Sequence, residues 1–260
     1  MTLGIKQNEN NDRFLWAYHN IEKVISKEKV DNRIDITVEQ AKQVLKNKKV
    51  GYAWSGGKDS VALDFIMKNC GVEKCVMGLT YDLDYPEHLR FVTDFMPDGL
   101  ELYDSGLTLT WLSNNIEMLF PQNSRIAGKW FKMIQHSAQD YFFYKEKLDI
   151  ICLGRRKLDK NYVGTKGQNI YQNKKGITRY SPLAGWTHEE VLGLIRYYNL
   201  PHSPIYSWIN GYIVGTGSWA ARQWTGSIHK AWQEVYEIDP EILDFASTKI
   251  QSAKEFLQSI

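Results

Sequence analysis

The sequence predicts an α/β fold, doubly wound around a mainly parallel sheet with helices on both faces. Three observations lead there. The chain has 260 residues, enough for one to two domains with a buried core. Short apolar runs of strand length alternate with stretches of helical period from Lys49 to Ile195. The first of those runs ends in a glycine pair that opens a helix, and strand, glycine turn, helix is an order typical of parallel sheets.

The elements follow in order. From Asn11 to about Lys27, Phe14, Leu15, Tyr18, Ile21, Val24 and Ile25 recur at helical spacing, which predicts one amphipathic helix. Thr37 with Gln40 three residues later reads as a capping box opening a second, short helix that carries Ala41, Val44 and Leu45. Lys49 to Trp54 is a short buried strand, followed by the turn Ser55-Gly56-Gly57-Lys58-Asp59-Ser60 and a helix with Val61, Leu63, Phe65 and Ile66 that closes at Gly71. Cys75–Thr80 and Leu100–Tyr103 read as strands, Glu87–Phe95 and Leu109–Phe120 as helices, Trp130–Lys147 as one long helix and Ile150–Gly154 as another buried strand. Asp159 to Lys175 is polar and aperiodic, so a surface loop is expected. Ile177–Ser181 is a strand, Thr187 with Glu190 caps the next helix, and Pro201 and Pro204 stop it. A Gly- and Trp-rich stretch from Tyr206 to Trp224 leads to a final helix over about Pro240–Leu257.

Composition narrows the function classes. Thirty-two basic against 30 acidic side chains leave a formal charge of +2, too balanced for an extended polyanion-binding face; a local basic pocket stays open and contact with nucleic acid stays undecided. Neither a secretory leader nor 18 consecutive apolar residues occur, so no membrane association and a cytoplasmic location are expected. Cys70, Cys75 and Cys152 have neither disulfide-framework nor zinc-ribbon spacing, and the six histidines show no metal-ligand spacing. Gly215-Thr-Gly217-Ser-Trp-Ala220 matches a dinucleotide pattern but comes too late for a βαβ unit to be completed after it.

The turn at residues 55–60 carries the chemistry. Consecutive backbone N–H groups of Gly56 and Gly57 at the positive end of a helix form an anion cradle. The hydroxyls of Ser55 and Ser60 and the charge of Lys58 suit it to a pyrophosphate. Asp59 beside phosphates is repulsive unless it caps backbone donors or holds a divalent cation, and the latter role predicts Mg²⁺. The spacing excludes a Walker A loop, because Tyr52 stands where the first glycine belongs and Asp59 follows the lysine.

Ser55-Gly56-Gly57-Lys58-Asp59-Ser60 resembles the PP-loop of the ATP pyrophosphatases, or adenine nucleotide alpha hydrolases. Tyr85-Pro86-Glu87, Gly154-Arg155-Arg156, Ser181-Pro182-Leu183 through Trp186-Thr187, and Leu200-Pro201-His202-Ser203-Pro204-Ile205-Tyr206 resemble, in order, motifs of the phosphoadenosine phosphosulfate (PAPS) reductase subgroup. The resemblance implies a helical extension over 1–48, a PP-loop nucleotide-binding domain over 49–205 and a C-terminal segment over 206–260 packed on it. It implies that Ser55, Gly56, Gly57, Lys58, Asp59, Ser60, Thr80 and Gly154 bind the nucleotide, that Lys58, Asp59, Arg155 and Arg156 act in catalysis, and that Lys132, Arg155, Arg156 and His202 contact substrate. Lys157, Lys160, Lys166, Lys174 and Lys175 dot the polar loop and could close over an anion, although loop lysines are more often solvated. ATP and Mg²⁺ are the implied cofactors, an unidentified acceptor the second substrate, and a homodimer stays open.

The sequence also departs from the subgroup. Thr80-Tyr81-Asp82 replaces its Asp-Thr-Gly, which shifts that acidic contact to Asp82 or Asp84 or removes it, and no cysteine follows Cys152. Reduction of an activated sulfate needs a thiolate to attack sulfur. The three cysteines fall in predicted core elements, and no iron–sulfur cluster is expected. Cleavage of ATP between its α and β phosphates, with adenylyl transfer to an acceptor, is therefore the leading expectation. A PAPS reductase with an atypical cysteine and a nucleotide-binding module without turnover are the alternatives.

Overall fold

The computed structural model describes residues 3–6, 9–159, 164 and 167–260. Its sheet contains β1 (Val50–Ala53), β2 (Cys75–Leu79), β3 (Leu100–Asp104), β4 (Ile150–Cys152), β5 (Ile170–Gln172) and β6 (Thr178–Tyr180) in the spatial order β3-β2-β1-β4-β6-β5. All neighbouring pairs are parallel except β5 with β6. The doubly wound α/β expectation holds.

Alternating side chains feed two cores, as strand geometry requires. Cys75, Met77 and Leu79 of β2 and Ile150 and Cys152 of β4 face a cluster with α2 (Lys27–Leu45), α3 (Lys58–Asn69), α4 (Pro86–Phe95) and α8 (His188–Tyr197). Val76 and Ile151 point the other way, to Phe142 of α7 (Ser137–Lys145). A third cluster joins Leu109 and Leu112 of α5 (Leu109–Ser113) and Trp130 of α6 (Ser124–Phe131) to three C-terminal helices, α10 (Ile228–Ile238), α11 (Pro240–Ser247) and α12 (Gln251–Ser259), and a fourth gathers Tyr212 of α9 (Gly211–Val214) with Phe14 and Leu192.

Several local expectations are corrected. α1 (Asn11–His19) ends at Asn20, whose side chain donates to the Trp16 carbonyl at 3.0 Å; a 3₁₀ turn, Ile21–Lys23, follows in place of one continuous helix. Thr37 opens no helix, because α2 already begins after the Ser26 cap. The Thr37 hydroxyl instead donates to the Arg33 carbonyl at 2.7 Å and accepts from the Trp186 indole at 2.9 Å, a mid-helix use of the same residue type. The helix expected over Leu109–Phe120 stops at Ser113, with a separate 3₁₀ turn at Ile116–Met118.

The polar stretch before β6 contains β5, an edge strand turned back by Asn173, whose side-chain oxygen accepts the Lys175 and Ile177 N–H groups at 2.9 and 3.0 Å. Edge position explains its polarity. The single helix expected over about Pro240–Leu257 is two, α11 and α12: Asp239 and Pro240 start α11, and Ile250, 1% exposed, breaks the run to enter the core; α10 precedes them without having been expected. Among the described residues no helix is long and apolar enough to cross a membrane.

Candidate active site

Strand order reverses at β1, which connects to β2 on one side while β4 lies on the other. Open α/β sheets bind ligands at the carboxyl ends of strands beside such a switch point. Here a cavity of about 800 Å³ opens, floored by Ser55, Gly57, Lys58 and Ser60 after β1 and by Gly154 and Arg155 after β4. That volume suits a nucleotide-sized ligand.

The two glycines of the loop serve different needs. Gly56 has φ +68°, a left-handed conformation that disfavours side chains, and a Cβ there would lie 3.1 Å from His88 Cε1 and 3.2 Å from Phe91 Cε1. Gly57 has φ −76° and caps α3; a Cβ there would come within 3.1 to 3.3 Å of the hydroxyls of Thr216, Tyr206 and Ser55. Its lack of a side chain keeps the cavity floor open. The Ser60 hydroxyl accepts the Ser55 N–H at 3.0 Å and donates to the Gly57 carbonyl at 2.9 Å, closing the loop on itself. The Lys58 N–H donates to the Tyr206 hydroxyl at 2.6 Å. Gly154 approaches so closely that a Cβ would sit 2.8 Å from the Asp59 carbonyl oxygen, which ties the end of β4 to the first turn of α3.

Beneath the loop lies a charge network. Asp59 receives Lys58 Nζ on one carboxylate oxygen and Arg156 Nε on the other, each at 2.6 Å. Arg156 is wholly buried; it also meets Asp159 at 2.9 Å, His188 Nδ1 at 3.0 Å and the Trp186 carbonyl at 3.3 Å. Burial works against the charge of Asp59, but Arg156 and Lys58 outweigh it and hold its carboxyl well below the usual range. Burial, reinforced by Arg156, pushes His188 down to about 2, so its imidazole is neutral and its Nδ1 accepts from the guanidinium.

Two expectations change here. Arg156 turns its donors into this network and is not among the residues lining the cavity, so it braces the loop from below. Asp59 does not suit a divalent cation, since both oxygens already accept from cations. Among the described residues no group of three His, Cys, Asp or Glu side chains is placed to hold a metal.

The opposite wall comes from a π-helical turn, Lys132–His136, between α6 and α7, which presents Lys132, Gln135 and His136 to the cavity with Gln139. Arg155 lies 2.9 Å from His136 Nε2 and donates to the Tyr171 hydroxyl at 3.1 Å. Burial, with Arg155 and Arg179 adding to it, pushes His136 down to about 4 and leaves a neutral acceptor facing the guanidinium. Arg179 Nε and Gln139 Oε1 are buried without a hydrogen-bond partner among the described residues, on the same wall.

The structure thus gathers Ser55, Gly57, Lys58, Asp59, Ser60, Lys132, Gly154 and Arg155 around one cavity, with Gly56 in the loop behind it. Thr80 and His202 are not on its walls. Thr80 is buried and gives its N–H to Asp84 at 2.7 Å, so this acidic residue closes its own turn; Asp82 likewise accepts the Leu109 N–H at 3.3 Å. His202 stacks on Tyr18 at 4.0 Å and meets the Tyr212 hydroxyl at 3.0 Å, which makes it part of an aromatic cluster. Of the loop lysines, Lys174 reaches the cavity, Lys157 is exposed and Lys175 pairs with Asp140 at 2.7 Å; Lys160 and Lys166 lie outside the described residues.

Sequence reasoning missed Lys6, Gln139, Arg179, Tyr206 and Thr216. Gln135 and Gln139, spaced i and i+4 after Lys132, carried a usable helical-face signal. Lys6 carried none. The cysteines lie elsewhere: Cys75 and Cys152 are fully buried, and burial pushes the Cys75 thiol up to about 12.

The model of the phosphoadenosine phosphosulfate reductase domain matches residues 49–212, more than half of the 260. The chain belongs to this family. It has the PP-loop adenine nucleotide alpha hydrolase fold, and the matched span of the PAPS reductase domain runs from β1 through the Tyr206 and Tyr212 side of the cavity. No curated protein sequence matches it. Similar solved structures include a phosphoadenylyl-sulfate reductase from Candida auris in its phosphate complex, at 12% identity over 75% of this chain and 96% of that one, with a TM-score of 0.49. The U34-tRNA thiolase NcsA from Methanococcus maripaludis with its [4Fe-4S] cluster is 16% identical over 90% of this chain and 81% of that one, TM-score 0.48. Candida glabrata FMN adenylyltransferase in complex with FMN and the ATP analog AMPCPP is 13% identical over 80% and 73%, TM-score 0.48.

Proposed function

We propose that this PAPS reductase-family chain binds ATP, cleaves it between the α and β phosphates and transfers the adenylyl group to an acceptor held in the same cavity. One observation supports the reading: a glycine loop at a helix N-terminus lines a cavity that Arg155, Lys132 and Arg179 also line. In this reading the loop holds the β and γ phosphates. An acceptor oxygen attacks Pα, the Pα–O bond to the β phosphate breaks, pyrophosphate leaves with the bonding pair, and the acceptor's proton is lost to solvent. Negative charge grows on the leaving pyrophosphate, where preorganised N–H donors and cations stabilise it most. Arg155, with a neutral imidazole beside it, is placed to fork onto a phosphate or acceptor oxygen.

The cysteines favour this reading over sulfonucleotide reduction. None of the three lines the cavity, and burial raises the pKa of each thiol, whereas an attacking thiolate needs exposure and a lowered one.

The test is incubation with ATP, supplied as its magnesium salt, and a panel of acceptors, with product separation. Pyrophosphate together with AMP or an adenylylated acceptor is expected, lost in the double variant Ser55→Ala with Gly57→Val. ADP and orthophosphate would overturn the cleavage position. Thioredoxin-dependent sulfite release from PAPS that disappears on replacing one cysteine would establish the reductase instead.

A further inference from the structure

The network under the loop is electrically balanced: Lys58 and Arg156 against Asp59 and Asp159. A bound pyrophosphate tail brings several negative charges and needs cations in excess of that balance. Lys6 stands on the cavity wall beside the loop, and its charged neighbours are those same four residues. No carboxylate among the described residues lies within ion-pair distance of its ammonium, and the adjacent Lys58 repels it.

Its position is built by packing. Leu3 is 2% exposed, in a cluster with Phe14, Leu192 and Tyr206, and its N–H donates to the Glu189 carboxylate. The Gly4 N–H donates to Glu9 at 2.7 Å. Tyr206 belongs both to this cluster and, through its hydroxyl, to the loop, so the segment carrying Lys6 and the phosphate cradle share one wall.

We infer that Lys6, from outside the family-matched span, is a phosphate-binding residue that places its ammonium on the terminal phosphates of a nucleotide seated in the loop Ser55–Ser60. This assignment rests on the reading of the loop as a pyrophosphate site.

Calorimetric titration of the full chain with inorganic pyrophosphate, AMPCPP and AMP tests it, using wild type, Lys6→Ala, Lys6→Arg and Gly57→Val. Lys6→Ala is expected to weaken pyrophosphate and AMPCPP about tenfold or more, as for one lost hydrogen bond between charged groups. AMP affinity and the melting temperature stay unchanged, and Lys6→Arg recovers most of the loss. Lys6→Ala binding pyrophosphate like wild type, while Gly57→Val abolishes it, would overturn the role of Lys6 and leave the loop assignment standing. Equal weakening of AMP, or no rescue by arginine, would reduce Lys6 to a structural part. Absence of pyrophosphate and AMPCPP binding in the wild type would refute both assignments.

Discussion

Substituting alanine at each loop glycine in turn should separate a folding defect from a binding defect at adjacent positions. At Gly56, with φ +68°, a Cβ forces a left-handed conformation at a cost of about 1–2 kcal/mol. Contacts of 3.1 and 3.2 Å with the rings of His88 and Phe91 add to it, both residues being buried. A total of about 2 kcal/mol corresponds to a melting temperature lower by roughly 4–8 °C for a chain of this size. At Gly57, with φ −76°, the backbone tolerates alanine, and the closest atoms are three hydroxyl oxygens at 3.1 to 3.3 Å. Stability should change by less than about 1 kcal/mol, the scale of exchanging a glycine cap. The methyl group, however, fills the floor on which a phosphate would rest. Loss of one charge-assisted hydrogen bond, about 1.5–3 kcal/mol, weakens pyrophosphate binding roughly ten- to a hundredfold. Differential scanning fluorimetry reads the first effect and calorimetric titration the second. Equal thermal losses in both variants, with pyrophosphate affinity intact in Gly57→Ala, would refute the division of labour.

Two further outcomes follow from the buried charges. Arg156→Leu strands Asp159 and removes half of the neutralisation of Asp59; urea denaturation should show a loss of about 3–5 kcal/mol, and a fully stable but inactive variant would instead mean that Arg156 touches substrate. His88 and His188 are buried with pKa values pushed down to about 4 and about 2, each chiefly by burial. The unfolded chain therefore binds the extra protons, so stability is complete above the ordinary imidazole value and falls as pH drops below 6.5. The two together should cost about 2 kcal/mol between pH 6.5 and 5.5, seen as a falling urea midpoint that His188→Gln makes shallower; a flat profile over that range would contradict it.

Much of the fold was legible because parallel strands buried on both faces leave short apolar runs, as at Val50–Ala53 and Ile150–Ile151. β5 was hidden because an edge strand with one solvated side does not need such a run. The loop was legible because glycine at a left-handed position and glycine at a crowded cap leave the same mark in a sequence. Arg156 and Asp59 were misread for a physical reason: residue type announces a charge but not whether its partner is a ligand or a buried neighbour. Lys6 was invisible because more than forty residues separate it from the loop, and tertiary contacts of Leu3 and Gly4 bring it there.

The π-helical turn at Lys132–His136 makes the cavity wall depend on chain length as well as on side-chain identity. Removing a single residue there would restore the regular α-helical hydrogen-bond spacing and narrow the turn, while α7 keeps its phase relative to α6. Phe142 and Ala138 would stay on the strands they cover, whereas the widened turn that presents Lys132, Gln135 and His136 to the cavity would be lost. Point substitutions at these positions sample side chains one at a time, whereas a one-residue deletion would remake the wall as a unit and leave the packing behind it in place.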